Sequence, residues 1–472
     1  MLKGNGFLKK ETTSKNVFAV LATAFMSFVG ILTETSLNVT FPTMMKQFKV
    51  SLDTVQWTTT GYLLMIAIVM ITSSYLNERF TAKQQFSVAC IGFIVGSIIS
   101  AIAPNFAILL LGRLISALGA GLSTPLMFNM ITEIMPRAKW GVYMGIAGLV
   151  IAMAPTLGPA FGGAITYYMN WRWIFIIVVI FAAIVFILGL FVIEKYHDQK
   201  DSGFDWLNFI ILSAAFVSLT IGVNQISDGL NNWKLWGLLV LSVVLFYVFA
   251  KLSKKSSKKL LDLAVFKEKA FIYGALAYFL LQFINIGTSF VLPNYVQIVS
   301  HQTSLVGGLI LLPGSIIAGL LNPFFGKLYD NMGARLPLYL GGGLMTISSI
   351  LFAIYGLNLT VIMIVVIYGI LMLGHRMAFS NTLAESLKLE KGHLRADATA
   401  VCQTSQQLAG SVGTTILASI IAISQNRGGS YAESTAQGSQ IAFCFTSILA
   451  IIILICYLRL FSLEKSKTNK EK

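Results

Sequence analysis

Long apolar runs separated by short polar or charged turns occupy almost the whole chain. The first, residues 16–41, holds no lysine or arginine and a single acidic residue, Glu34. Similar runs follow at 54–77, 84–104, 105–133, 140–167, 171–193, 205–225, 234–251, 268–299, 303–328, 335–356, 358–385, 394–424 and 437–462, fourteen in all. Each is about 20 residues or longer, enough as a helix to cross a hydrocarbon layer of roughly 30 Å. The pattern predicts an all-α polytopic membrane protein with no soluble domain. The connection Ser424–Gly438 is polar and reads as a mobile outer loop.

Composition agrees. Of 472 residues, 56% are hydrophobic and 11% charged, with a mean hydropathy of +0.77. Soluble domains carry about 25% charged residues. The formal charge of +15 raises the possibility of nucleic-acid binding, but its distribution argues for topology instead. Lys46, Lys49, Arg172, Lys234 and Arg427 fall near one side, and Arg113 and Arg376 lie inside spans. The other basic residues cluster on the side of the termini, in Lys3–Lys15, Arg79 with Lys83, Arg137 with Lys139, Lys251–Lys269, Lys388–Arg395 and the tail. This positive-inside pattern predicts a multi-pass plasma-membrane protein with both termini in the cytoplasm. Lys254, Lys255, Lys258 and Lys259 either set topology alone or also meet anionic lipid headgroups. The basic start lacks a small-residue cleavage site after a short apolar core, so the first span reads as retained. Cys90, Cys402, Cys444 and Cys456 fall within spans without metal-ligand spacing and read as small packing residues.

An internal repeat organises the chain. After the second span, Ser74, Leu76, Glu78, Arg79, Thr81 and Lys83 form a short charged turn. After the tenth, Gly326, Asp330, Gly333 and Arg335 occupy a matching turn, again with an acidic residue five positions before a basic one. Two related bundles follow, as in transporters built from repeats. The weakly patterned spans 205–225 and 234–251 are the natural insert. The units are then an N-terminal bundle over 1–193, an inserted pair with its basic loop over 194–267, and a C-terminal bundle over 268–472.

Glu34 carries the sharpest chemical signal. A charged side chain at a membrane helix centre costs roughly 2.5–3.5 kcal/mol on insertion scales. Low-dielectric surroundings disfavour its charged form, and a carboxyl that exchanges a proton there points to proton-coupled transport. Arg113 in span 4 must face a cavity or a partner, or else snorkel or brace backbone carbonyls. In span 5, Ala154, Gly158 and Gly162 are spaced by four and make one smooth face for close helix approach. Pro155 and Pro159 sit among them, with Gly163 adjacent, and Pro159 removes a backbone hydrogen bond. His375 and Arg376 form a second buried basic locus. They either relay protons, meet an anionic group of a substrate, or are held by backbone carbonyls near Gly374. No phosphate-binding G-x-x-x-x-G-K-[ST] motif, catalytic triad or metal cluster occurs, so neither ATP-driven pumping nor enzyme chemistry is expected.

Taken together, these motifs resemble the major facilitator superfamily, and within it the fourteen-helix drug:H⁺ antiporter branch of EmrB/QacA type. The turn motif G-x-L-x-D-R-x-G-R-[KR] is matched by Leu76 and Arg79, with Glu78 for Asp and Lys83 for Arg. R-x-x-Q-G-x-G is matched by Arg113, Gly119 and Gly121, with Ser116 in place of Gln. Span 5 resembles the antiporter motif G-x-x-x-G-P-x-x-G-G. Thr35, Asn38 and Pro42 align with L-D-x-T-x-x-N-x-A-L-P, but Thr33 stands at the Asp position and the carboxylate has moved to Glu34. That variant resembles the lincomycin-resistance-type subgroup. Gln56, Trp57 and Tyr62 also match the branch, as does the Trp171, Arg172, Trp173 triplet, which reads as an outer clamp. Gln403, Gln406 and Gln407 lie in a stretch similar to N-T-x-R-Q-x-A-G.

The resemblance implies a major facilitator fold of two six-helix bundles plus two inserted helices. It implies proton coupling through Glu34 and Arg113, and a monomer. The turn residues Glu78, Arg79, Lys83, Asp330 and Arg335 either latch the bundles in one state or remain solvated charges. Candidate cavity residues are Glu34, Asn38, Trp57, Tyr62, His375, Arg376, Gln403 and Gln407. Glu34 carries the proton, attracts a cationic substrate, does both, or is a structural carboxyl. The expected function is export of amphipathic, lipophilic cationic compounds, driven by the proton gradient with no cofactor. The partners are those compounds, protons and membrane lipids, not nucleic acid. The alternative is a specific exporter or flippase of an endogenous lipid or metabolite.

Overall fold

A computed structural model describes residues 13–136, 139–194, 203–229, 231–256, 260–390, 394–428 and 430–471. Of the basic clusters, Lys3, Lys9, Lys10, Arg137, Lys258, Lys259 and Lys391 lie outside the described residues. The helices are α1 Ser14–Leu37, α2 Phe41–Phe48, α3 Leu52–Val55, α4 Trp57–Ile71, α5 Ser73–Arg79, α6 Ala82–Ile102, α7 Phe106–Ile134, α8 Trp140–Tyr168 and α9 Arg172–Val192. They continue with α10 Trp206–Asn224, α11 Trp233–Lys255, α12 Lys269–Ile298, α13 Ser304–Leu309, α14 Leu312–Met332, α15 Arg335–Tyr355, α16 Val361–Lys388, α17 Arg395–Gln425 and α18 Tyr431–Glu471. Among the described residues, fourteen stretches are long and apolar enough to cross a membrane.

Local chemistry sets many of the starts. Thr13, Asn105, Thr303 and Thr360 accept from backbone N–H groups of the first turns that follow them. Thr81 and Gln84 form a reciprocal capping box at α6. Two spans are broken rather than continuous. Span 2 bends between α3 and α4 at Gln56, and span 10 breaks between α13 and α14, where Pro313 opens the new helix. The short α2, with Pro42 in its first turn, ends at Lys49 in the left-handed region (φ 55°).

Two expectations change. The polar segment Ser424–Gly438 is not a long loop, because α18 begins at Tyr431. Gln425 donates to the Thr435 hydroxyl at 2.8 Å, and Ser434 and Thr435 are buried. Hydrogen bonding therefore orders a stretch that hydropathy alone read as loop. Cys444 is exposed on α18, whereas Cys90, Cys402 and Cys456 are buried.

In the first half, α1 packs on α7, α8 and α9, and α6 on α7 and α9. In the second, α12 packs on α16, α17 and α18, α15 on α16 and α18, and α14 on α16. The pair α10–α11 packs on itself and touches α4 and α17 through α10. The halves meet through α4 with α17 and α8 with α13. These contacts lie toward the end of the molecule opposite the termini, here the far end. Nearer the terminal end, Val142, Leu149 and Met153 of α8 and Leu320 and Phe324 of α14 are exposed.

Candidate functional site

Glu34 is 5% exposed and makes no hydrogen bond among the described residues. Arg113 from α7 is fully buried beside it. Its Nε donates to the Thr58 carbonyl at 3.1 Å, and its guanidinium carbon lies 3.7 Å from the Tyr62 ring centroid. The Tyr62 hydroxyl in turn donates to the Gly30 carbonyl at 3.0 Å. Neither terminal nitrogen of Arg113 has a hydrogen-bond partner. Ser116, standing where the motif has Gln, donates back to the Arg113 carbonyl at 2.9 Å and does not meet the terminal nitrogens. Glu34 and Arg113 interact electrostatically but form no ion pair within 4 Å. Arg113 is thus braced by one carbonyl and one ring, with two donors in reserve.

About one turn toward the far end from Glu34, polar residues join the halves. Asn38 accepts from the Thr59 hydroxyl at 2.9 Å, and its carbonyl accepts from Asn294 of α12 at 3.3 Å. Gln297 donates to the Val39 carbonyl at 2.8 Å. The Thr60 hydroxyl lies 3.0 Å from those of Thr414 and Thr415 on α17. Beside the seal, the glycine face of α8 packs on α1 within the first half. A methyl at Gly162 would stand 2.2 Å from the Ser36 carbonyl oxygen, and one at Gly158 would stand 1.9 Å from the Thr35 hydroxyl. Ser304 of α13 donates to the Gly163 carbonyl at 3.2 Å, and Ala154 is buried. The carbonyl of Pro159 lies against Gly308 of α13, while Pro155 sits one turn away within the same helix. The structure therefore places Asn38 in the seal. Trp57 is also turned away from the centre: its indole donates to Asn224 of α10 at 2.6 Å.

In the second half, His375 is 2% exposed and both its ring nitrogens lack partners. Its ring stacks on Phe379 at 4.9 Å, Phe379 stacks on Tyr278 at 4.3 Å, and the Tyr278 hydroxyl donates to Gln406 at 2.7 Å. The Nε of Arg376 is likewise unmet. No backbone carbonyl holds either residue. Gln403 and Gln407 are half-buried on α17, and the hydrogen bond of this glutamine cluster goes instead to Gln406.

The sequence profile described as Major Facilitator Superfamily matches residues 23–414. The lincomycin resistance protein LmrB of Bacillus subtilis (strain 168) is 32% identical over 464 residues, covering 94% of this chain and 97% of that protein. The chain belongs to the Major Facilitator Superfamily. Within the superfamily it falls with the lincomycin-resistance-type proteins, and it is a multi-pass membrane transporter. The uncharacterized MFS-type transporter YcnB of the same organism is 30% identical, over 94% of each chain. A crystal structure of a bacterial homologue of the human lysosomal transporter Spinster superposes with a TM-score of 0.69 at 14% identity, over 96% of this chain and 99% of that one. A POT family transporter in complex with 5-aminolevulinic acid gives 0.69 at 14% identity, over 96% and 98%. At these identities the likeness is one of fold.

The superfamily's charged turns occupy equivalent places in the two halves. Glu78, Lys83, Asp330 and Arg335 are exposed and Arg79 is half-buried; the Arg335 guanidinium lies 5.5 Å from the Phe461 ring centroid. In each turn, the residue before the acidic position makes a bond to its own bundle. Asn77 donates to Glu133 at 3.3 Å, and Tyr329 donates to Glu385. Both bonds span 56 residues, so the repeat extends to its partners. Glu385 is buried and also lies 3.7 Å from the Lys388 ammonium. Sequence reading singled out neither Glu133 nor Glu385. The available signal was an acidic residue near the end of spans 4 and 12, at one fixed distance from each turn.

Proposed function

We propose that the chain is a proton-coupled exporter of amphipathic, lipophilic cationic compounds, working by alternating access with both termini in the cytoplasm. The observation that carries this reading is Glu34: a buried carboxyl without a hydrogen bond, next to an arginine with two unmet donors. Protonation of Glu34 withdraws its negative charge from Arg113, and deprotonation restores it. The carboxyl can therefore exchange a proton for a cationic substrate while the seal opens and closes beside it. The hydrogen bonds between the halves lie toward the far end, which fits one state of such a cycle. The names of related proteins, lincomycin resistance protein LmrB and a multidrug resistance protein B homolog at 24% identity, support a drug-exporting role. The turns at Glu78 and Asp330 fit a latch that engages when the terminal end closes.

The test is export of a cationic dye from proteoliposomes under an imposed pH gradient. Export should stop when the gradient is dissipated and should lose its gradient dependence in Glu34→Gln. Export indifferent to the gradient removes proton coupling. Unaltered coupling in Glu34→Gln removes Glu34 as the carrier.

A further inference from the structure

Arg376 is a membrane-embedded cation with no counter-ion. Among the described residues it makes no ion pair within 4 Å, its Nε is buried without a partner, and the groups within its electrostatic reach are His375 and Tyr368. An arginine does not shed its proton to escape such a place. Arg376 is half-buried, and a cation held inside a membrane span without compensation is costly, so an anion that enters is favoured. His375 adds two ring nitrogens, also unmet, and its ring is fixed by stacking on Phe379.

Position points the same way. The Tyr368 hydroxyl lies 3.2 Å from that of Ser289 on α12. Ser289 precedes the seal residue Asn294 by about one and a half turns, and Glu34 precedes the seal residue Asn38 by about one turn. Arg376 follows Tyr368 by eight residues on α16, about two turns nearer the terminal end, so the carboxylate of the first half and the cation of the second both stand on the terminal side of that seal.

Resting on the export reading above, we propose that His375 and Arg376 form the anion-binding half of the substrate site. The transported molecule is then amphoteric. Its cationic group faces Glu34, and a carboxylate or similar oxyanion faces Arg376 and accepts its hydrogen bonds.

Equilibrium binding to the purified full-length chain, without any gradient, tests this. Rhodamine B carries a free carboxylate beside a cationic ring system, and its ethyl ester masks that carboxylate. The intact protein should bind rhodamine B about tenfold or more tighter than the ester, the strength expected of a charge-assisted contact. Arg376→Gln should bring the two affinities together, and Arg376→Lys should restore part of the difference. The proposal is overturned by equal affinities in the intact protein, by a preference for the ester, or by binding of neither dye. It is also overturned if Arg376→Gln weakens both dyes and keeps their ratio, as a purely structural role would. Gradient dependence is read separately in liposomes. Its loss with the carboxylate preference intact counts against proton coupling alone, and the reverse counts against the anion subsite alone.

Discussion

Two stretches of α8 use glycine for different ends. Near the far end, Gly158 and Gly162 lie against Thr35 and Ser36 so closely that a methyl at either would collide. Near the terminal end, Gly145 and Gly148 have nothing within 4 Å of where a methyl would stand. One helix thus carries glycines that are filled by α1 near the far end and stand in open space near the terminal end. Small residues let helix backbones approach closely. The molecule uses that capacity between α8 and α1 of the first half, and again where Gly163 meets α13 of the second.

The contrast can be broken or sharpened in order of expected effect. Gly162→Ala should be the most disruptive. Its methyl meets backbone, and overpacking of this kind costs about 1–3 kcal/mol. In a background lacking the four native cysteines, maleimide labelling of a buried Thr414→Cys reporter should rise about tenfold or more. Unchanged labelling would mean that the packing of α8 on α1 does not support the seal that begins two residues beyond Ser36, at Asn38. Tyr329→Phe comes next. It strips a buried carboxyl of one bond, worth about 2 kcal/mol, so the melting temperature should drop. Far-end labelling should stay put, and a rise there would show the two ends coupled through Glu385. Asn294→Leu removes bonds to the Asn38 and Phe290 carbonyls. A loss of about 1 kcal/mol predicts a several-fold rise in Thr414→Cys labelling. The smallest effect belongs to Gly148→Ala. With open space around it, the better helix former should raise stability by up to about 1 kcal/mol, while slowing transport if that face must close. A lower melting temperature would contradict the vacancy.

The spans were legible because crossing a membrane needs only a sustained apolar stretch. Residues 105–133 became Phe106–Ile134, and 394–424 became Arg395–Gln425. What depended on a distant partner was not legible. Trp57 reads as a cavity or interface residue until Asn224 is seen to accept its N–H from 167 positions away. Asn38 lies about one turn from Glu34 and was grouped with it, yet that turn separates a buried carboxyl from the seal. The break between α13 and α14 has a local sign in Pro313, whereas the one at Gln56 has none. Glu34 and Arg113 were legible because charge inside an apolar run is costly. That His375 keeps both nitrogens unmet is a property of its neighbours alone.

The inserted pair carries a consequence for how this architecture can grow. The stretch from Trp206 to Lys255 leaves the terminal end through α10 and returns to it through α11. The chain re-enters the second half from the side it left, so α12 starts in the same sense as it would without the insert. A single added helix would have turned every later helix upside down and carried Arg376 and the Asp330 turn to the wrong side. Parity, more than sequence, decides what such a protein can acquire in the middle: its unit of insertion is the hairpin.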